Sequence, residues 1–559
     1  MKKFRWQLLI IFLTGLVIGI LLLTEQPGLK PLTVEPTAGG TYTEALVGSF
    51  DRLNPLLDSH NTADRDIDRL IFSSLLKFDG RGIATGDLAN TWGVSMDGTI
   101  YNFSLRPDVK WHDGYPVTAK DVEFTINYLK NGNSYIPKDI QTFWKDIKVV
   151  VVSDTTFQFI LPEPFAPFLD YLTFGILPEH LLENATGEAL VDDPFNLAPV
   201  GTGPYVFSRM LTENGQITGV VLKANTAYFA GRPFIEEIDF RYYPDSQTAF
   251  LAYQQGIVQG ISQLDQNVIS SAIAQPGLSV YTGREPIVTM VLFNLKDPTA
   301  TFLQDIVVRK ALLTGLDRQG MINDLLQGQG IIADGPIFPG TWAYYDGTKH
   351  VDFDPTVAKN LLIQDGYVIA SGTDVVRQKD GTGIIFTLLY PDDATHLAIA
   401  QYIQKNWENL DIRVDLEAVP YDQLITDRLS QKNYQAALVD FNFTNMPDPD
   451  PYPMWDQAQI TGGQNYSQWD NRIASEYLED ARISPDLDSR TKLYRNFQVI
   501  YGQEMPALPI YYPVYSYAVS SQVSGVRIGP LWDSSDRFST ILQWYLLASK
   551  PQSQITSGP

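Results

Sequence analysis

The stretch LRPDVKWHDG at residues 105–114, followed by PVTAKDV at 116–122, gives the clearest local structural signals in this chain. It follows residues 99–105, where apolar and polar residues alternate as on a half-buried β-strand. The Pro-Asp and Asp-Gly pairs then predict turns. Thr118 and Asp121 have the spacing of a capping box, in which the Thr118 hydroxyl bonds a backbone N–H three residues on. The stretch therefore predicts a strand, a turn and a helix in succession.

Outward from this unit, the second half of the chain alternates between helical and strand patterns. Helical periodicity covers residues 396–410 and 421–430, and strand patterns cover 412–418 and 434–441. Such alternation is typical of an α/β fold, an open sheet with helices packed on it. Ligands of these sheets collect beyond the carboxyl ends of strands. We therefore expect a ligand where the 434–441 strand runs into residues 442–452.

A further helix is predicted to begin at Asp354-Pro355, with the aspartate as N-cap and the proline in the first turn. Gly366 supplies the left-handed residue that lets the chain leave this helix. Its buried stripe is expected to contain Val357, Ala358, Leu361 and Leu362.

The composition limits the class of protein. At 559 residues the chain exceeds a single hydrophobic core, so we expect two or three domains. Hydrophobic residues make up 44% and charged residues 19%, as in folded globular proteins. The formal net charge of -23 repels phosphate backbones and argues against a nucleic-acid partner. The absence of cysteine excludes disulfides, thiolate catalysis and cysteine zinc sites.

The amino-terminal residues predict export. Lys2, Lys3 and Arg5 precede an uncharged apolar run over residues 8–23, and positive charge stays on the cytoplasmic side. The run has the length of a short membrane span or of a long signal sequence. The TEQP that follows at 24–27 lacks the small residues preferred by signal peptidase, which favours an uncleaved anchor over a cleaved signal. The predicted divisions are 1–25 for the membrane anchor or signal and 26–40 for an exposed linker.

No catalytic signature is present in the sequence. A nucleophile elbow, an H-E-x-x-H pair and a phosphate-binding P-loop are absent, and the five histidines are too scattered for a local metal site. We predict no catalytic residue, no metal and no cofactor. Asp448 and Asp450 could act as paired carboxylates, but a proline-stiffened turn is the favoured interpretation. The tyrosine-rich run 511–517 could line a cavity with one face or simply pack within a sheet.

Seven motifs, in this order, resemble those of one protein family. They are Asn54-Pro55, the 105–122 stretch quoted above, ILPEH at 176–180, VGTGPY at 200–205, the AN, YF and GRP pieces between 224 and 233, VRKAL and LDR between 308 and 318, and a segment that closes at Tyr367. On these motifs the chain resembles family 5 of the bacterial extracellular solute-binding proteins, the dipeptide/oligopeptide/nickel-binding type that serves ABC importers. The resemblance runs from about residue 41 to about residue 545.

The resemblance implies an α/β, two-lobed, periplasmic-binding-protein-like (type II) fold, with three domains around a hinged ligand cleft. The implied divisions are 41–78 for the first segment of lobe I, 79–199 for its accessory domain, 200–292 for its second segment, 293–512 for lobe II, 513–547 for the return to lobe I, and 548–559 for a disordered tail. Closure of the lobes would remove a bound solute from water and strengthen its polar contacts.

The chain departs from the family in the ligand loop. Asn442 aligns with a tryptophan of peptide-binding members, and Asn445 aligns with the aspartate that holds the peptide ammonium group. Asp440 or Asp448 could replace that carboxylate. A peptide is the favoured solute, and an oligosaccharide is the alternative. The candidate ligand-binding residues are Phe50, Phe293, Asn294, Asp440, Phe441, Asn442, Asn445 and Tyr511.

The implied function is that of a monomeric, extracytoplasmic solute-binding component that delivers its solute unaltered to a membrane ABC permease. It would be tethered to the outer face of the cytoplasmic membrane by its first helix, or be periplasmic if that helix is cleaved. Two other classes remain as alternatives. One is an extracytoplasmic hydrolase that uses Asp448 or Asp450 beside Tyr511, which turnover would reveal. The other is a tethered ligand sensor, which would bind a membrane receptor instead of a permease.

Overall fold

The computed structural model describes residues 36–131, 134–185, 187–369 and 376–547. The anchor or signal expected at 1–25, most of the linker and the tail expected at 548–559 lie outside these residues.

The strands and helices of the described residues are numbered separately along the chain. The strands are β1 Thr41–Val47, β2 Leu76–Phe78, β3 Ala84–Gly86, β4 Ala89–Val94, β5 Ile100–Leu105, β6 Lys148–Val151, β7 Thr156–Ile160, β8 Tyr205–Glu213, β9 Gln216–Ala224, β10 Glu237–Tyr243, β11 Gly260–Ile261, β12 Leu278–Arg284, β13 Ile287–Phe293, β14 Gly330–Ile332, β15 Val368–Ile369, β16 Arg377–Lys379, β17 Thr382–Gly383, β18 Ile385–Pro391, β19 Arg413–Val419, β20 Ala436–Asn442, β21 Ala507–Ser520, β22 Val523–Ser524 and β23 Tyr545–Leu546.

The α-helices are α1 Thr62–Ile71, α2 Ala119–Asn131, α3 Lys138–Lys145, α4 Glu179–Leu182, α5 Ser246–Gln254, α6 Gln266–Ala274, α7 Ile306–Thr314, α8 Arg318–Leu326, α9 Pro355–Gln364, α10 Ala394–Glu408, α11 Tyr421–Gln423, α12 Tyr452–Trp455, α13 Arg472–Ile483 and α14 Leu487–Glu504. Short 3-10 helices are present at Ala166–Leu172, Gly187–Leu190, Pro194–Leu197, Thr301–Gln304, Gln457–Ile460 and Ser534–Gln543, and a π-helical turn at Leu424–Leu429.

One continuous mixed sheet of twelve strands organises the molecule, in the order β19-β18-β20-β13-β21-β11-β1-β10-β9-β8, with β12 and β14 also paired to β21. It has two halves that share only the long strand β21. We call lobe I the half built on β1, β8 to β12 and the second part of β21. Lobe II is the half built on β13, β14, β18 to β20 and the first part of β21.

The strand–turn–helix unit predicted from residues 99–122 is confirmed. Tyr101, Phe103 and Leu105 are buried on one face of β5. The expected capping contact at the start of α2 is wrong in detail, because the Thr118 backbone N–H and hydroxyl both donate to the Asp121 carboxylate, at 2.7 and 3.2 Å. The carboxylate therefore caps the helix from inside its first turn.

The predicted α/β alternation in the second half is also confirmed, as α10, β19, α11 with its π-helical continuation, and β20. Asp354 caps α9, and Gly366 leaves that helix with φ of 90°. The buried stripe of α9 is narrower than predicted. Ala358 and Leu362 are buried and Leu361 is half-buried, whereas Val357 is 46% exposed.

Lobe II buries both faces of its half-sheet. Successive residues of β13 alternate between two apolar clusters: Val291 and Phe293 lie in one, and Met290 and Leu292 lie in the other. This alternation follows from the two-residue period of a strand. A half-sheet covered by helices on both faces is the arrangement expected for an α/β fold.

The accessory sheet, β4 to β7, packs with α2 and α3 into the same apolar cluster as the core of lobe I. Two of the quoted motifs, those at 105–122 and 200–205, meet where the accessory sheet joins the core of lobe I. His112 Nδ1 accepts the Gly201 N–H at 3.2 Å, so its Nε2 carries the proton and donates to Gly203 O at 3.1 Å. Burial lowers the pKa of His112 to about 4, which keeps the ring neutral. The Gly203 N–H in turn donates to Ile71 O at 2.7 Å, at the end of α1.

Candidate ligand-binding cleft

Two adjacent chain crossings join lobe I to lobe II. The first is Glu285-Pro286, between β12 and β13. The second is the middle of β21, which pairs with β12 as far as Val514 and with β13 at Tyr511. We call these two crossings the hinge. Short neighbouring crossings of this kind allow two rigid halves to rotate while each half-sheet stays intact.

A cavity of about 710 Å³ lies between the lobes beside the hinge. Glu285 and Pro286 of the hinge line it, as do Ile287 at the start of β13, Val47 at the end of β1 and Asn442 at the end of β20. The carboxyl ends of strands from both lobes therefore open on one space, as expected for ligand sites of open α/β sheets. Its volume is in the range of small-molecule binding sites.

Lobe I contributes a charged wall, formed by α1 and the segment 531–536. Asn61 caps α1, because its Oδ1 accepts the N–H groups of Ala63 and Asp64 at 3.1 and 3.3 Å. Two ion pairs join the helix to the segment, and both are largely shielded from water. They are Arg65 to Asp533 at 2.7 Å and Arg69 to Asp536 at 3.1 Å.

The accessory part of the chain contributes an apolar wall. Trp144 at the end of α3 is only 1% exposed, and its ring lies edge-on to Phe143, Phe168 and Phe174 with centroids 5.4 to 6.1 Å apart. These rings hold the tryptophan in one orientation. The apolar residues that face the cavity here are Leu129, Ile136, Ile140, Trp144 and Phe174.

Lobe II contributes the loop after β20. Asn442 Oδ1 accepts the Thr444 N–H at 2.8 Å and the Thr444 hydroxyl at 2.7 Å, which folds the loop back on itself. Asn445 follows in the left-handed region with φ of 60°. Its N–H donates to Trp532 O at 2.8 Å, a hydrogen bond at the edge of the cavity between the lobe II loop and the 531–536 segment.

Asp448 and Asp450 serve in ion pairs and do not line the cavity. Asp448 pairs with Arg490 at 2.6 Å, and Asp450 pairs with Arg482 at 3.2 Å. The Asp448 N–H also donates to the Asp170 carboxylate at 2.9 Å. Burial, and then the charge of Asp448, raise the pKa of Asp170 well above its usual value. This part of the chain is thus a buried contact between lobe II and the accessory part.

Residues 84–463 match the family model of the bacterial extracellular solute-binding proteins, family 5 Middle. The chain belongs to this family. Among curated relatives, the oligopeptide-binding protein AppA of Bacillus subtilis is 26% identical over 521 residues, 92% of each chain. The dipeptide-binding protein of Escherichia coli is 26% identical over 519 residues, 87% of this chain and 91% of its own.

Solved structures give the same assignment. The structure of NikZ from Campylobacter jejuni in complex with Ni(L-His) superposes with a TM-score of 0.65 at 25% identity, covering 90% of this chain and 99% of that one. The family 5 protein therefore has the two-lobed type II fold of a periplasmic binding protein. Its relatives are solute-binding proteins of peptide and nickel ABC importers, not enzymes. That this chain catalyses no reaction stays a prediction.

Two of the eight candidate ligand-binding residues line the cavity of this family 5 protein, Asn442 and Asn445. Asp440 is held by the Thr289 hydroxyl at 2.5 Å and by His396 Nε2 at 3.2 Å. Asn294 is buried, and its amide donates to the carbonyls of the 432–434 segment. Direct contact of any of these with a solute stays a prediction.

The remaining four candidates pack against protein. Phe50 lies edge-on to Tyr242, and Phe441 packs on Trp455, with ring centroids 6.3 and 6.2 Å apart. Phe293 and Tyr511 are buried in the core of lobe II. From the tyrosine-rich run, Tyr515 faces the cavity.

The charged wall of lobe I was not predicted. Its signal in the sequence is TADRDIDRL at 62–70, where acidic residues recur at every second position of a helix. That spacing places Asp64 and Asp68 on one face and Asp66 on the opposite one, so the charges point in different directions. The partners Asp533 and Asp536 come from the carboxyl-terminal end of the chain, which no local pattern connects to α1.

Within residues 36–547, leaving aside the short gaps, no group of three or more histidine, aspartate or glutamate side chains is placed to hold a metal ion. None of the helices in that part of the chain combines the length and apolar character needed to cross a bilayer. The anchor predicted at residues 8–23 lies outside the described residues.

Proposed function

We propose that this chain is the solute-binding component of an ABC importer, and that it captures a peptide by closing lobe I on lobe II. The observation that carries the proposal is the cavity at the hinge, which both lobes and the accessory part enclose. The bound solute loses its contact with water on closure, and each polar contact inside is then stronger.

The relatives support a peptide as the solute, because two of them are an oligopeptide-binding and a dipeptide-binding protein. The walls support it as well. A peptide offers a charged terminus for the ionic side chains of lobe I and apolar side chains for the accessory wall. The closed, loaded form is the state that a membrane permease would select. Delivery would leave the peptide chemically unchanged.

We further propose that the apolar run at residues 8–23 tethers the binding protein to the outer face of the cytoplasmic membrane. A tether keeps the loaded protein near its permease and so raises the effective concentration of the binding protein at the permease. The chain has no cysteine, so a lipid-modified cysteine is not available for this purpose.

Native mass spectrometry of the full-length chain, purified from its own membranes without added solute, tests the proposal. We expect an additional non-covalent mass of a few hundred daltons, which denaturation releases and tandem fragmentation reads as a peptide. A released oligosaccharide would instead support the alternative solute. A released cargo that the protein converts on incubation would contradict a binding role and support the hydrolase.

A further inference from the structure

Asp68 is a buried carboxylate without a partner. It lies on α1 in the charged wall of the cavity, and its side chain is 2% exposed. Within the described residues neither of its oxygens accepts a hydrogen bond, and no lysine or arginine forms an ion pair with it. Burial is the largest influence on its pKa and raises it, while the nearby Asn54 backbone acts in the opposite direction.

The carboxylates around Asp68 each have an ion pair or accept hydrogen bonds. Asp64 accepts the N–H groups of Asp51 and Arg52, each at 2.8 Å, and the Tyr242 hydroxyl at 3.1 Å. The other pairs are Asp58 with Arg65 at 3.6 Å, Asp66 with Arg537 at 2.6 Å, Asp533 with Arg65 at 2.7 Å and Asp536 with Arg69 at 3.1 Å. The nearby arginines are thus all engaged, and Asp68 is the one carboxylate of this group that has neither an ion pair nor a hydrogen bond.

The charged form of Asp68 is costly in the empty protein. Burial, followed by the charges of Asp58 and Asp64, raises the pKa of Asp68 well above its usual value. A buried carboxylate that lacks both a cation and hydrogen-bond donors destabilises the fold. Such groups occur where a bound molecule supplies the missing partner.

We propose that Asp68 binds the positively charged group of the solute, an organic ammonium, and so anchors it to lobe I. The assignment rests on the proposed function. A metal ion fits less well, because in the described part of the chain no set of three ligating side chains is assembled. Asp440 and Asp448 of lobe II already have partners, so neither is free to anchor the ammonium group. With the apolar wall of Ile140 and Trp144, the preferred solute is a peptide that has a free amino group and an apolar side chain.

Calorimetric titration of the emptied full-length chain tests the proposal, with the tripeptide Ala-Phe-Ala and its N-acetylated form as probes. The wild-type chain should bind the free-amine peptide on the order of tenfold more tightly, as expected for a desolvated charge pair. Asp68→Asn should abolish this preference by weakening only the free-amine peptide. An Asp68→Asn chain that keeps the full preference overturns the proposal.

Asp64→Asn is the matched control, one turn earlier on α1. The asparagine oxygen can still accept the two backbone N–H groups, so the preference for the free amine should remain. Without ligand, Asp68→Asn should raise the melting temperature by about 2 °C, because it replaces a buried carboxyl group that has neither a cation nor a hydrogen-bond donor, and Asp64→Asn should not raise it. A lower melting temperature for Asp68→Asn would contradict an unpaired carboxylate. If the wild-type chain binds neither peptide, the proposal that Asp68 binds an ammonium group is overturned. The proposed function is tested separately, by the cargo that native mass spectrometry identifies.

Discussion

Replacing Arg537 with leucine should lower the melting temperature of the chain by roughly 10 °C, through a loss of about 3–5 kcal/mol of stability. Arg537 is completely buried in lobe I, where its guanidinium pairs with Glu44 at 2.7 Å and with Asp66 at 2.6 Å. Leucine would leave two buried carboxylates without a cation. Burial already raises the pKa of Asp66 to about 6 in the presence of Arg537, so its charge is poorly tolerated.

The substitution should also destabilise the charged wall of the cavity, because the ion pair between Arg537 and Asp66 connects the carboxyl-terminal segment to α1. Differential scanning calorimetry of the ligand-free chain is the measurement. Arg472→Leu is the control, since Arg472 forms ion pairs with Glu476 and Glu479 on the exposed face of α13, where water screens them. It should change the melting temperature little. Equal melting temperatures for Arg537→Leu and the wild type would show that the buried network does not stabilise lobe I.

Gly201→Ala should have an effect of similar size, a loss of about 3 kcal/mol or more. A Cβ at this position would lie 1.9 Å from Ile71 O and 2.7 Å from its carbonyl carbon. These are backbone atoms at the end of α1, so no side-chain rotation relieves the clash. The 201–203 segment would have to separate from α1 and from His112, which would shift the helix that carries Asp68.

Chemical denaturation followed by tryptophan fluorescence would measure this loss. Gly502→Ala is a control with the opposite sign, because Gly502 lies in α14 and, apart from the adjoining backbone of that helix, no atom is within 4 Å of its added Cβ. There alanine should stabilise the helix by about 0.5–1 kcal/mol. A Gly201→Ala chain with wild-type stability would mean that the close approach to Ile71 is not required by the fold.

Much of the fold could be predicted because its signals are local. The strand and helix of residues 99–122, the caps of α9, and the alternation from α10 to β20 follow from periodicity and from turn residues within short windows. The order of the motifs then indicated the family. The motifs themselves prove structural in part: His112 and the 201–203 glycines fasten the accessory part to α1.

The site was harder to predict because its walls come from distant parts of the chain. The strand-end argument led to Asn442 and Asn445, which do line the cavity. It could not lead to α1, because in the sequence the carboxylates of this helix have the pattern of an ordinary solvated helix face. Only the structure shows that Arg65, Arg69 and Arg537 form ion pairs around them. Only the complete set of ion pairs shows that Asp68 is left over.

Closure of the lobes is the central claim, and distance measurement between spin labels tests it most directly. The chain has no cysteine, so Gln247→Cys and Gln423→Cys give a labelled pair without further changes. Both residues are exposed, and each lies in the helix that follows a strand, β10 in lobe I and β19 in lobe II. In lobe I, β10 runs parallel to β1, which ends at the cavity. In lobe II, β19 runs parallel to β18, and β18 runs parallel to β20, which also ends at the cavity. The two labels should therefore flank the opening of the cavity.

Double electron–electron resonance on the emptied, labelled chain should give a broad distribution of distances. Saturating Ala-Phe-Ala, or the solute recovered by native mass spectrometry, should narrow it and move it to shorter distances. A distribution that stays unchanged, at a solute concentration that calorimetry shows to be saturating, would contradict a hinge that closes on the solute.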